Sequence, residues 1–160
     1  MKKTFLGMLI TTVVLASFFV VESGCSQSVT NWGQSSCGCQ LSIGMKTNIV
    51  TVGSAYDFHV RIRNLSKSVI KLNLLSSDLY LTNNAGKIYR VPASETINAI
   101  PGKPRVEPGE IMEMAWVVEF DKNLESGDYM FKPITVDIET DSKLCTLTSN
   151  SLKVKIVKSD

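Results

Sequence analysis

The residues of this 160-residue chain whose types and spacing could do chemistry are four cysteines, a single histidine and a Met-x-Met pair. Cys37 and Cys39 flank one glycine, Cys145 lies far downstream, and Cys25 follows a long apolar run. In an oxidising compartment such cysteines pair. The expected bridge joins Cys145 to Cys37 or to Cys39, closing a loop of just over about 100 residues and stabilising by up to about 4 to 5 kcal/mol. Gly38 also permits a strained and reducible ring between Cys37 and Cys39. A second chemistry is metal binding. Cys37, Cys39 and His59, with Met112 and Met114, form a set of soft ligands suited to Cu(I). The plainer account of the methionines is core packing, because they alternate with Trp116 on one face. His59 stands between Asp57 and Arg61 on a polar face, where a solvated ring is expected. No Gly-x-Ser-x-Gly elbow or other nucleophile motif accompanies it, so neither an enzyme nor a cofactor is expected.

These residues must be positioned by strands. Tyr56 to Asn64 alternates strictly, with Tyr56, Phe58, Val60 and Ile62 on one face and Asp57, His59, Arg61 and Arg63 on the other. That is the period of a strand with one face on a core. Similar stretches run over 41–45, 49–52, 69–75, 79–82, 87–91, 111–120 and 152–156. Another opens at Gly127 and continues to Ile138, with an edge or bulge at Pro133, which has no N–H to donate. The Asn83-Asn-Ala-Gly86 turn marks a hairpin. With no helical period after residue 25, seven to nine short strands predict an all-β, antiparallel sandwich over residues 41–160. Tyr56 to Asn64 is expected to face Met112 to Phe120 across it. Trp116 is expected to anchor the core, and the Tyr129 hydroxyl to bond back to the turn before it.

Residues 1–24 read as an export signal: Lys2 and Lys3, then an apolar run of 17 residues from Phe5 to Val21,. Cleavage falls either after Ser23 or before Cys25. Ser23-Gly-Cys25 resembles the end of a bacterial lipobox, in which Cys25 carries the lipid, although Glu22 stands where that motif has an apolar residue. Either fate places the rest of the chain outside the cytoplasm, in the envelope or secreted, touching a membrane only through signal or lipid. Residues 25–40 are Ser-, Gln- and Gly-rich and read as a flexible tether.

Removal of the signal leaves 15 basic and 14 acidic residues. That balance, with no basic run interleaved with aromatics, argues against nucleic acid as a partner. The expected partner is a protein or another envelope component. Its contacts are expected on the unpatterned 92–105 segment, through Ile97, Pro101, Lys103 and Arg105, together with 121–126.

The strand ending in Ile62-Arg-Asn64, the Lys71 to Leu75 strand, the Gly86-Lys-Ile-Tyr89 return, Val106-Glu-Pro-Gly-Glu110 before a Trp-containing strand, and Gly127-Asp-Tyr129 together resemble bacterial immunoglobulin-like sandwich domains. Among these they resemble the BsuPI group, named for an intracellular proteinase inhibitor. The resemblance covers about residues 41 to 140 and implies a sandwich fold. It adds protease inhibition as an alternative to a non-catalytic binding role, beside copper or redox handling. This chain differs from the group in its export signal and in its additional C-terminal strand.

Overall fold

The computed structural model describes residues 31–73, 78–95, 104–141 and 143–158. The signal segment, Cys25, and Ile97, Pro101 and Lys103 lie outside these residues. Among the described residues all regular structure is β, in two packed sheets, as expected.

The strands are β1 (Cys39–Met45), β2 (Ile49–Thr51), β3 (Ala55–Asn64), β4 (Ile70–Leu72), β5 (Asp78–Asn83), β6 (Ile88–Glu95), β7 (Arg105–Val106), β8 (Ile111–Glu119), β9 (Gly127–Phe131), β10 (Thr135–Glu139), β11 (Leu144–Thr148) and β12 (Leu152–Val157). The larger sheet has the order β1-β3-β8-β6-β5-β9-β12-β2, and the smaller β11-β10-β4-β7. Pairing is antiparallel except between β12 and β2, which run parallel and so depart from the all-antiparallel expectation.

β3 has the bounds its alternation predicts, with Phe58, Val60 and Ile62 fully buried. Its relation to β8 is different from the one expected. The two strands are hydrogen-bonded neighbours in one sheet, with Phe58 opposite Trp116, rather than facing layers. Their rings stack laterally at 6.1 Å, and Phe131 meets Phe58 at 5.0 Å. Alternation fixes which face a residue takes but does not name the partner strand.

The stretch from Gly127 to Ile138 is likewise not one strand. β9 belongs to the larger sheet and β10 to the smaller, and the chain changes sheets over Lys132-Pro133-Ile134. β9 opens on a tyrosine corner: the buried Tyr129 donates its hydroxyl to the carbonyl of Glu125 at 3.0 Å,. This corner and the two packed sheets give the sandwich its immunoglobulin-like character.

The β5–β6 hairpin follows its turn sequence. Gly86 has φ 78°, its N–H donates to the carbonyl of Asn83, and the N–H of Asn83 donates to the carbonyl of Lys87. This is a three-residue loop closed by a glycine bulge. β6 then runs on to Glu95, so Pro92 to Glu95, expected in a loop, are strand. Arg105 is exposed on the short β7.

Candidate functional site

Three places gather the residues singled out above: the outer face of β1, β3 and β8, the free edge of β1, and an opening between β6 and β8.

On the outer face, His59, Arg61 and Glu113 meet. Arg61 donates Nε to Glu113 Oε2 at 2.8 Å, and His59 Nδ1 lies 2.7 Å from Glu113 Oε1. The Arg61 guanidinium is the main reason the Glu113 carboxyl sits below its ordinary range,. The His59 side chain is only 16% exposed, so the ring expected in solvent is largely covered. Beside it, Arg63 donates to Gln40 Oε1 through Nε and Nη2, and its guanidinium lies 4.5 Å from the centre of the Trp32 ring. This cation–π contact seats Trp32 on the outer face of β3,.

The free edge of β1 is closed, and the means lie in the supposed tether. Ser36 and Cys39 exchange both backbone hydrogen bonds, and between them Cys37 and Gly38 have φ 51° and 72°. Positive φ at both central residues is the signature of a type I′ hairpin turn. The arm 31–36 thus folds back along β1. Gly33 donates its N–H to the carbonyl of Leu41, Gln40 donates to the carbonyl of Gly33, and Ser42 donates to the carbonyl of Asn31. Gly33 passes so close to β11 that a Cβ there would stand 2.0 Å from the carbonyl oxygen of Thr148. One rung further, the Asn150 side chain imitates a strand. Its Oδ1 accepts from the N–H of Ile43, and its Nδ2 donates to the carbonyl of Ile43. Residues 31–40 are accordingly part of the folded domain, which corrects the expectation of a flexible tether over that part of 25–40.

The Cys37–Cys145 disulfide locks this arm to β11. It realises one of the two expected pairings and replaces the ring between Cys37 and Cys39. Cys39 is a free thiol, fully buried, and burial pushes its pKa up. Its sulfur lies 3.6 Å from Asn64 Oδ1. Asn64, also fully buried, joins the elements at this end. It donates Nδ2 to the carbonyls of Ser68 and Val106 and accepts at Oδ1 from the backbone and hydroxyl of Ser66. The copper set is dispersed by the same geometry. Cys37 is consumed in the bridge, Cys39 faces the core, and His59 lies on the outer face. Met112 and Met114 are half-buried against the core.

The third place is an opening within the larger sheet. β6 pairs with β5 from Ile88 to Pro92 but with β8 only over Ala93–Glu95. Pro92 explains the stop, since it has no N–H to return to β8 at the next rung. Below it the strands part, leaving a groove of about 230 Å³ between Lys87–Val91 on one side and Glu119, Asp121, Asn123 and Leu124 on the other. The register fixes which way the backbone points. Asn83 and Lys87 are a hydrogen-bonded pair, and in an antiparallel ladder such pairs recur at every second residue,. Tyr89 and Val91 therefore bond to β5, whereas Ile88 and Arg90 turn their N–H and C=O groups toward the opening. The Arg90 side chain is held away from it by Asp78 at 2.6 Å, on the outer face. Tyr89 lies edge-on to Tyr129 at 5.7 Å, and Lys87 caps its other side. Glu119 and Asp121 form no ion pair among the described residues. Of the surface expected to bind a partner, 121–126 contributes Asp121, Asn123 and Leu124 to this groove. The β6 side was missed. Its signal was a proline inside an alternating stretch, read as the start of a loop.

No family model matches the chain, and no characterised protein matches it in sequence. Among solved structures it is similar to an ASH/PapD-like domain of human CEP192, at 14% identity over 75% of this chain and 87% of that one, with a TM-score of 0.45. It is also similar to the CARDB domain of the PF1109 protein from Pyrococcus furiosus, at 13% identity, 74% and 87% coverage and a TM-score of 0.43. A family 123 glycoside hydrolase from Clostridium perfringens matches at 15% identity over 76% of this chain but 28% of its own, with a TM-score of 0.40. Likenesses this distant carry nothing about activity.

Proposed function

We propose that this protein is a non-catalytic binding domain of the cell envelope that takes hold of its partner at the groove between β6 and β8. One observation carries the reading: two strands of a single sheet part below Pro92 and leave an apolar floor of Tyr89, Val91 and Leu124 beneath the carboxylates of Glu119 and Asp121, which form no ion pair among the described residues. A recess with an apolar base and a few polar groups at its lip is the usual form of a binding site. The Cys37–Cys145 bridge supports an extracytoplasmic location, since such bonds persist where the surroundings are oxidising,. The export signal and Cys25, cleaved or lipidated, supply the route there. In the BsuPI-like alternative the same domain inhibits a protease, and stoichiometric inhibition of at least one enzyme in a serine protease panel is its test.

The binding reading is tested with immobilised protein and detergent-solubilised envelope fractions. A partner retained by the wild type and lost by the Glu119→Lys/Asp121→Lys variant supports it. Equal retention by both overturns the groove as the contact.

A further inference from the structure

We infer that the groove between β6 and β8 takes an extended peptide segment carrying a basic side chain, which adds to β6 as a strand at Ile88 and Arg90. This rests on the groove being the contact and names the occupant. Three observations bear on it. First, the backbone groups of Ile88 and Arg90 point into the opening and have no strand to pair with among the described residues, because the ladder with β8 ends at Ala93. A chain laid in the opening would satisfy them as main-chain partners, which is how an added strand gains affinity.

Second, the protein treats its other exposed edge quite differently. On β1 the outward-facing groups are met at three successive alternate positions: Cys39 by Ser36, Leu41 by Gly33, and Ile43 by the Asn150 side chain. Unpaired edges invite strand addition, and natural proteins cover those that serve no purpose. Third, the lip opposite β6 holds Glu119 and Asp121 without a cationic partner among the described residues, which favours an occupant bearing Lys or Arg,.

Arg90 allows a test that separates backbone from side chain. Its N–H faces the opening and takes no part in the β5 ladder, so Arg90→Pro removes the one donor and leaves that ladder intact. Arg90→Ala removes the side chain, with its Asp78 contact, and keeps the N–H. A phage-displayed library of random linear peptides is panned on the disulfide-bonded protein, and selected peptides are measured against the variants. Arg90→Pro is expected to weaken binding by at least about tenfold, some 1.4 kcal/mol, and Arg90→Ala by no more than about twofold. The selected peptides should be rich in Lys or Arg and should weaken on Glu119→Lys/Asp121→Lys.

Peptides that weaken on Glu119→Lys/Asp121→Lys yet bind Arg90→Pro like wild type would overturn strand addition while leaving the groove as the contact. Peptides indifferent to both changes, or a library that yields none, would overturn this inference outright. Should Arg90→Pro fail to fold, amide hydrogen exchange on the wild type decides the matter. Bound peptide should slow exchange at Ile88 and Arg90 and leave Tyr89 as it was, and unchanged exchange at both overturns the proposal.

Discussion

The two edges of the larger sheet's strands make an instructive pair. Along β1 the outward N–H and C=O of Cys39 and Ile43 and the carbonyl of Leu41 are engaged by a hairpin arm and one asparagine, and a disulfide ties the turn of that arm to β11. Along the lower half of β6 a proline stops the ladder and the groups at Ile88 and Arg90 are left facing an opening. Both are strand edges of similar length in one domain. Among the described residues, the arm 31–36 returns over β1, whereas no strand pairs with the β8-facing side of β6 below Pro92. An edge closed by several independent devices reads as structure, and an edge left open beside an apolar floor reads as a contact.

The comparison can be broken most forcefully at the bridge. Replacing both Cys37 and Cys145 by Ser should cost about 4 to 5 kcal/mol in urea unfolding, because the two residues are 108 apart in sequence and the bridge restricts the unfolded chain,. A loss under about 1 kcal/mol would mean that the arm holds to β1 without it. The next change acts on the arm alone. Gly33→Ala places a methyl against the backbone of Thr148 and should cost about 1 to 3 kcal/mol while the disulfide still forms,. Full stability would show that the arm does not lie between β1 and β11.

The smallest effect belongs to the outer face of β3 and β8. Glu113 is held below its ordinary carboxylate range, chiefly by Arg61. Its contribution is complete at pH values above the unfolded carboxylate pKa and disappears as pH falls through the lower folded value. The side chain is 43% exposed, so Glu113→Gln should cost less than about 1 kcal/mol at neutral pH, with the difference shrinking in acid. A penalty that persists once the pH has fallen below the folded carboxyl's own pKa would refute this account of the pair, since both states are then protonated.

The parts of this architecture that could be read in the sequence are those governed by local rules. β3 has its predicted ends because eight successive residues alternate without a fault, and the β5–β6 hairpin follows from Asn83 and Gly86. Tyr129 could be placed because a corner tyrosine acts over four residues. Relations between strands were out of reach. Nothing in Met112 to Phe120 says that it pairs beside β3 rather than packing over it. β11, with only Cys145 and Leu147 pointing inward, has too weak an alternation to be noticed. The arm reads as a tether in sequence because Cys37 occupies a turn position where Asn, Asp or Gly is the usual sign. The groove was hidden for a related reason. A proline in mid-strand reads as an end of structure, whereas here only one side of the ladder ends.

The Cys37–Cys145 bridge also alters how the domain would meet an envelope protease. It joins the turn before β1 to β11, so ten of the strands, β1 to β10, lie between its two cysteines. Cutting any single peptide bond in that span leaves both pieces covalently joined, and the cleaved molecule keeps its arm, its core and its mass plus one water. Release of a fragment from the span requires a second cut or a reductant. A nicked molecule would therefore run as intact on a non-reducing gel and as two pieces on a reducing one.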